Sequence, residues 1–125
     1  MKRKQNLLSA GFTLVEIMIV VAIIGLLAAI AIPNFVRARA TSQANACINN
    51  LRQIDAAANQ WALENKKTTG TAINYPNDLT PYIKLTSAGT MPPCPVGGSY
   101  YQDNIVGTIP TCSLGSTVSP AHIIP

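Results

Sequence analysis

The chain has 125 residues, 48% of them hydrophobic and 11% charged, with nine basic and five acidic side chains and a formal charge of +4. That length allows one small domain, and an apolar first third leaves too little chain for a large independent core. The positive charge is mostly a property of the start: without Lys2, Arg3 and Lys4, six basic side chains face five acidic ones, so no nucleic-acid footprint is evident.

The basic leader MKRKQNLLSA is followed by Gly11 and then by FTLVEIMIVVAIIGLLAAIAIP. From Ile17 to Val36 there are 20 consecutive uncharged residues. At roughly 1.5 Å per residue a helix of that length spans about 30 Å, the thickness of a bilayer's hydrocarbon core. Lys2, Arg3, Lys4 and the starting amine outnumber Arg37 and Arg39 across this span, which favours a cytoplasmic N-terminus. Glu16 is out of place at the head of the apolar run, since an unpaired carboxylate costs roughly 2.5 to 3.5 kcal/mol at mid-membrane depth.

Gly11 is equally telling. A secretory signal is cut after its apolar segment, whereas here the small residue precedes it, and a cut after Gly11 retains the hydrophobic helix. The same cut removes three basic side chains and creates a cationic amine on Phe12. Phe12 and Glu16 are four residues apart, which on a helix places them on one face, so the amine is a partner for Glu16 of the same chain or of a neighbour.

Gly11 followed by FTLVE and IMIVVAIIGLLAAIAIP resembles the N-terminus of the type IV prepilin family, which includes major pilins and the pseudopilins of type II secretion. The resemblance covers the first third of the chain. It implies a leader, residues 1–11, cut after Gly11 by a prepilin peptidase, N-methylation of Phe12, and subunit addition governed by Glu16. It also implies a filament of packed helices built from identical or related subunits on an inner-membrane assembly platform.

Further along, Pro33 removes a helical hydrogen bond and crowds the preceding turn, and Gly25 is a second weak point, whose simpler reading is close packing between helices. A bend is expected at Pro33, with local loosening between Gly25 and Pro33 once neighbours replace lipid. Arg37 and Arg39 mark the membrane boundary. Beyond them Ala44, Cys47, Leu51, Ile54, Ala58 and Trp61 recur in steps of three and four, an amphipathic stripe. One helix is thus expected from Phe12 to about Asn65. Residues 12–36 form its transmembrane and filament-core part and 37–67 its amphipathic continuation, ended by Gly70 after Lys66 and Lys67.

Residues 68–125 carry eight of nine prolines and most of the glycines, which predicts a small loop-rich cap. Asn77 or Asp78 is placed to cap a brief helical turn from Leu79 to Ile83. SYYQ and NIVGTIPTC have strand composition, giving a small antiparallel sheet within Ser99 to Leu114, with one of Tyr100 and Tyr101 packed and the other exposed. The fold class is α+β: a long N-terminal helix packed on a small cap, as in type IV pilins.

The cysteines are Cys47, Cys94 and Cys112. Beyond the inner membrane a disulfide can persist, and Cys94 with Cys112 closes a loop for which the chain-entropy model gives roughly 3 kcal/mol. This pair is favoured, with Cys47 a buried thiol on the stripe, although all three pairings remain open to sequence reasoning. The CPVGG and PTCS segments also resemble the C-terminal cysteine loop of some short pseudopilin-like proteins.

Cys47, Cys94, Cys112 and His122 match the ligand count of a structural zinc site, but no C-x-x-C spacing pre-forms one. The expectation is therefore no metal and no cofactor, with His122 at the surface. Asp78 and Asp103 with Asn104 are too scattered for calcium. A single histidine and no nucleophile motif argue against an enzyme.

The function expected is a structural subunit of an envelope-associated filament, a secretion pseudopilin rather than a surface-pilus subunit because the cap is short. A non-polymerising bitopic binding protein is the reading from another class. The partners are like subunits, the peptidase, the assembly platform and the lipid bilayer. The location is the inner membrane, with the cap on the periplasmic or extracellular side.

Overall fold

The computed structural model describes residues 10–102 and 105–125. Lys2, Arg3 and Lys4 of the leader, and Asp103 and Asn104, lie outside the described residues. The fold is α+β, with one helix, α1 (Leu14–Glu64), a short 3₁₀ turn (Thr80–Tyr82), and two strands, β1 (Tyr100–Tyr101) and β2 (Thr111–Cys112). Two compact units divide between Arg37 and Ala38.

In the first unit, α1 begins two residues later than expected. Thr13 precedes it, and the Thr13 hydroxyl accepts the backbone N–H of Glu16 at 3.2 Å, satisfying one of the donors orphaned at a helix start. The first helical bond runs from the Ile17 N–H to the Thr13 carbonyl at 3.3 Å. Phe12 is thus outside the helix, and its placement on one helical face with Glu16 is corrected. Helix assignment continues through both Gly25 and Pro33. Leu26 is 65% exposed, and its apolar neighbours from Leu14 to Val36 are likewise exposed almost throughout. Among the described residues, this is the one helix long and apolar enough to cross a membrane.

In the second unit the stripe is buried. Cys47, Leu51, Ile54, Ala57, Ala58 and Ala62 of α1 meet Ile73, Leu79, Ile83, Cys94, Tyr100, Val106 and Cys112 in one core, with Trp61 partly buried at its margin, and Ala44 is buried as well. Small side chains at 44, 57, 58 and 62 let the loop-rich segment lie close to the helix, which suits a cap with little regular structure.

The helix ends before Gly70. Lys67 donates to the Ala62 carbonyl at 2.8 Å and Lys66 to the Leu63 carbonyl at 3.2 Å, the paired bonds of a Schellman ending, with Lys66 in the left-handed region at φ 53°. Gly70 instead donates to the Val106 carbonyl at 2.9 Å. This joins the start of the cap to the segment beside the bridge between Ala72 and Ile105.

The sheet is antiparallel, with Tyr100 opposite Cys112 and Tyr101 opposite Thr111. Tyr100 is 8% exposed and Tyr101 57%, so strand alternation packs one ring and leaves the other in solvent. The predicted turn shrinks to Thr80–Tyr82, and Asp78 does not cap it. The Asp78 carboxylate accepts the Asn74 N–H at 2.9 Å, while the N-cap position falls to Leu79.

Candidate functional site

Two regions carry chemistry. The first is the junction at Ala10–Thr13, which is exposed and outside regular secondary structure. A Cβ built on Gly11 meets nothing within 4 Å. Directly behind it, Glu16 is exposed in the first turn of α1. There an acidic side chain complements the positive end of the helix dipole, worth about 0.3 to 1 kcal/mol at an exposed site.

Thr13-x-x-Glu16 is also the spacing of a capping box. The pattern is legible in the sequence and marks Thr13 as a residue that the reading of Gly11, Phe12 and Glu16 missed. Because Phe12 lies before the cap, an amine created there is not carried on the helix beside Glu16.

The second region is in the cap. Cys47 comes from α1, Cys94 from the turn at Cys94–Gly98, Cys112 from β2 and His122 from the C-terminal segment. One ligand atom from each lies within 4.8 Å of the other three, and all four residues are buried. The Cys94 Sγ and His122 Nδ1 are 3.4 Å apart. One expectation is corrected here: His122 is 2% exposed rather than at the surface. The structure holds Cys47, Cys94 and Cys112 as three free, buried thiols, with all three sulfurs brought together.

The surroundings position each member. Gly97, at φ 91°, closes the turn after Cys94 by donating to its carbonyl at 2.9 Å. A Cβ on Gly98 would stand 2.8 Å from the Cys112 Sγ, so only glycine allows that approach. Gly115 donates to the Cys112 carbonyl at 2.9 Å and accepts the His122 N–H at 2.7 Å, joining two members through one residue. Asn50 donates to the Tyr100 hydroxyl at 3.0 Å, which in turn hydrogen-bonds Cys47.

Burial pushes the Cys47 thiol up to about 12 against the opposing pull of Tyr100. Burial also disfavours ionisation of Cys94. Hydrogen bonds from the Val96 and Gly98 backbone and from the other two cysteines outweigh it and hold that thiol below its ordinary value.

Residues 8–32 match the prokaryotic N-terminal methylation motif. Among curated proteins, the type IV major pilin protein PilA of Myxococcus xanthus is 52% identical over 54 residues, 43% of this chain and 24% of that protein. A fimbrial protein of Pseudomonas aeruginosa is 36% identical over 99 residues, 79% of this chain and 63% of the relative. The type II secretion system core protein G of Dickeya chrysanthemi is 27% identical over 125 residues, 98% of this chain and 73% of the relative. The chain thus spans less than two thirds of the length of the first two. No solved structure matches the chain at a significant level. The chain is thus similar in its first residues to proteins that carry the methylation motif, and over most of its length both to fimbrial proteins and to type II secretion core proteins.

Proposed function

We propose that the chain is a structural subunit of a helical filament in the bacterial envelope. It is inserted in the inner membrane as a precursor, cut after Gly11, methylated on Phe12 and polymerised through α1. The observation that carries this reading is the exposed apolar surface from Leu14 to Val36, directly behind an accessible glycine junction that bears the methylation motif. Such a surface is stable in lipid before assembly and against like helices after it. Glu16 and the new amine supply the polar contact that selects the docking position. The relatives are named as a fimbrial protein and a type II secretion system core protein, which supports a non-enzymatic role.

We favour a secretion pseudopilin, supported by an alignment to core protein G over 98% of the chain. The surface-pilus reading rests on the higher identity to fimbrial proteins, 36% over 99 residues. A strain whose only copy carries Glu16→Leu should contain a processed membrane monomer and no sheared filament. Loss of protein secretion would support the pseudopilin, and loss of surface pili with secretion intact would support the pilus subunit. Mass spectrometry should find a mature chain beginning at methylated Phe12. An unmodified chain beginning at Ile32 would mean an ordinary signal peptide and overturn the proposal, as would normal filaments from Glu16→Leu.

A further inference from the structure

The chain's three cysteines and its single histidine are dispersed over 76 positions of sequence, from Cys47 to His122, yet their ligand atoms meet within 4.8 Å. Four soft or borderline donors converging from four separate segments are not needed for packing, since an apolar core needs no imidazole. A disulfide would use two of the sulfurs and leave a thiol and a buried imidazole without a shared purpose.

We propose that the cap binds one zinc ion through the Sγ atoms of Cys47, Cys94 and Cys112 and the Nδ1 of His122.

The dimensions fit a single ion. With Zn–S near 2.3 Å and Zn–N near 2.0 to 2.1 Å, the edges of a tetrahedral site are roughly 3.5 to 3.8 Å. The Cys94–His122 edge is 3.4 Å, and none of the remaining edges exceeds 4.8 Å, which leaves at most about 1.0 to 1.3 Å of closure to reach that range. Thiolates with one imidazole select zinc over the hard cations that oxygen ligands hold.

The outer contacts also belong to a metal site. The Val96 and Gly98 N–H groups hydrogen-bond Cys94, and Tyr100, itself held by Asn50, hydrogen-bonds Cys47. These partners orient the sulfurs and disperse thiolate charge. Four protein ligands leave no open position, so the site is structural rather than catalytic. Three thiol protons pass to solvent on binding, the imidazole contributes its Nδ1 lone pair, and the zinc remains divalent with a net site charge of one negative unit. The ion would tie α1, the 94–98 turn, β2 and the C-terminal segment together in a cap whose described residues hold two short strands.

This inference does not depend on filament assembly and is tested apart from it. The full chain, purified from cells in detergent without reductant, should carry about one zinc per chain. Its three cysteines should resist alkylation until a chelator is added. Cys47→Ser and His122→Ala should lower zinc affinity at least about tenfold. Because those variants risk losing the cap's fold, His122→Cys supplies the complement: it should keep stoichiometric zinc. With cobalt in place of zinc, both wild type and His122→Cys should show tetrahedral d–d absorption, the variant with stronger thiolate charge transfer. A disulfide between any two cysteines in protein taken from cells would overturn the proposal. So would iron or copper in place of zinc, or zinc affinity of the reduced wild type no greater than that of Cys47→Ser.

Discussion

Gly98→Ala is a one-atom probe of the cap. The added methyl would lie 2.8 Å from the Cys112 Sγ, 3.1 Å from the Leu114 Cγ and 3.2 Å from the Leu114 Cδ1. Leu114 is partly buried and can yield by a few tenths of an ångström. Cys112 is 7% exposed and held in β2, so its sulfur can escape only by leaving the cluster or by forcing the 94–98 turn outward. Overpacking of this kind costs about 1 to 3 kcal/mol. At the middle of that range the folded-to-unfolded ratio falls about 30-fold, and a unit the size of residues 38–125 should melt roughly 8 to 16 °C lower.

The assay is thermal unfolding of the detergent-solubilised chain followed by the fluorescence of Trp61, the chain's single tryptophan, which packs against the core. Gly25→Ala is the control, because a Cβ there meets nothing within 4 Å. It should leave this transition unchanged while favouring helix by about 0.8 to 1.0 kcal/mol locally. A Gly98→Ala chain melting within a degree or two of wild type would refute the close approach of Gly98 to Cys112.

Lys66 holds a left-handed backbone at φ 53°, so Lys66→Gly should raise the stability of the cap by about 1 kcal/mol in the same melting assay. Thr13→Ala removes the hydroxyl that accepts the Glu16 N–H and should cost about 1 kcal/mol in the first turn of α1, read as faster hydrogen exchange at Glu16. Burial raises the Tyr75 phenol, which donates to the Met91 sulfur at 3.4 Å. Its folded value is therefore above the unfolded one, near 10. The stability it contributes is complete below that value and is lost as pH rises through the folded one. Tyr75→Phe should accordingly flatten the alkaline limb of the stability profile, which denaturant melts at successive pH values would measure.

The first third of the chain was legible because its physics is one-dimensional. A run of uncharged residues, a glycine before it and a carboxylate at its head carry meaning by order alone, and so does the Thr13-x-x-Glu16 spacing of the helix cap. The stripe at Ala44, Cys47, Leu51, Ile54 and Ala58 was legible for a related reason, since helical periodicity converts spacing into a face. The helix C-terminus near Asn65 was legible too, but not the residue that closes it: Gly70 is the residue that composition favours, whereas the left-handed position falls at Lys66.

The cysteines mark the other boundary. Cys94 and Cys112 lie together in the cap sequence, which made them a plausible pair, whereas Cys47 is distant from both and His122, although near Cys112, has no spacing that marks it as a partner. Only the path of the cap back onto α1 brings β2, the 94–98 turn and the last residues to the same point on the helix. Local spacing can announce a metal site when one loop carries two ligands. Here each ligand comes from a different element, so sequence determined which donors exist and tertiary structure alone decided that they meet.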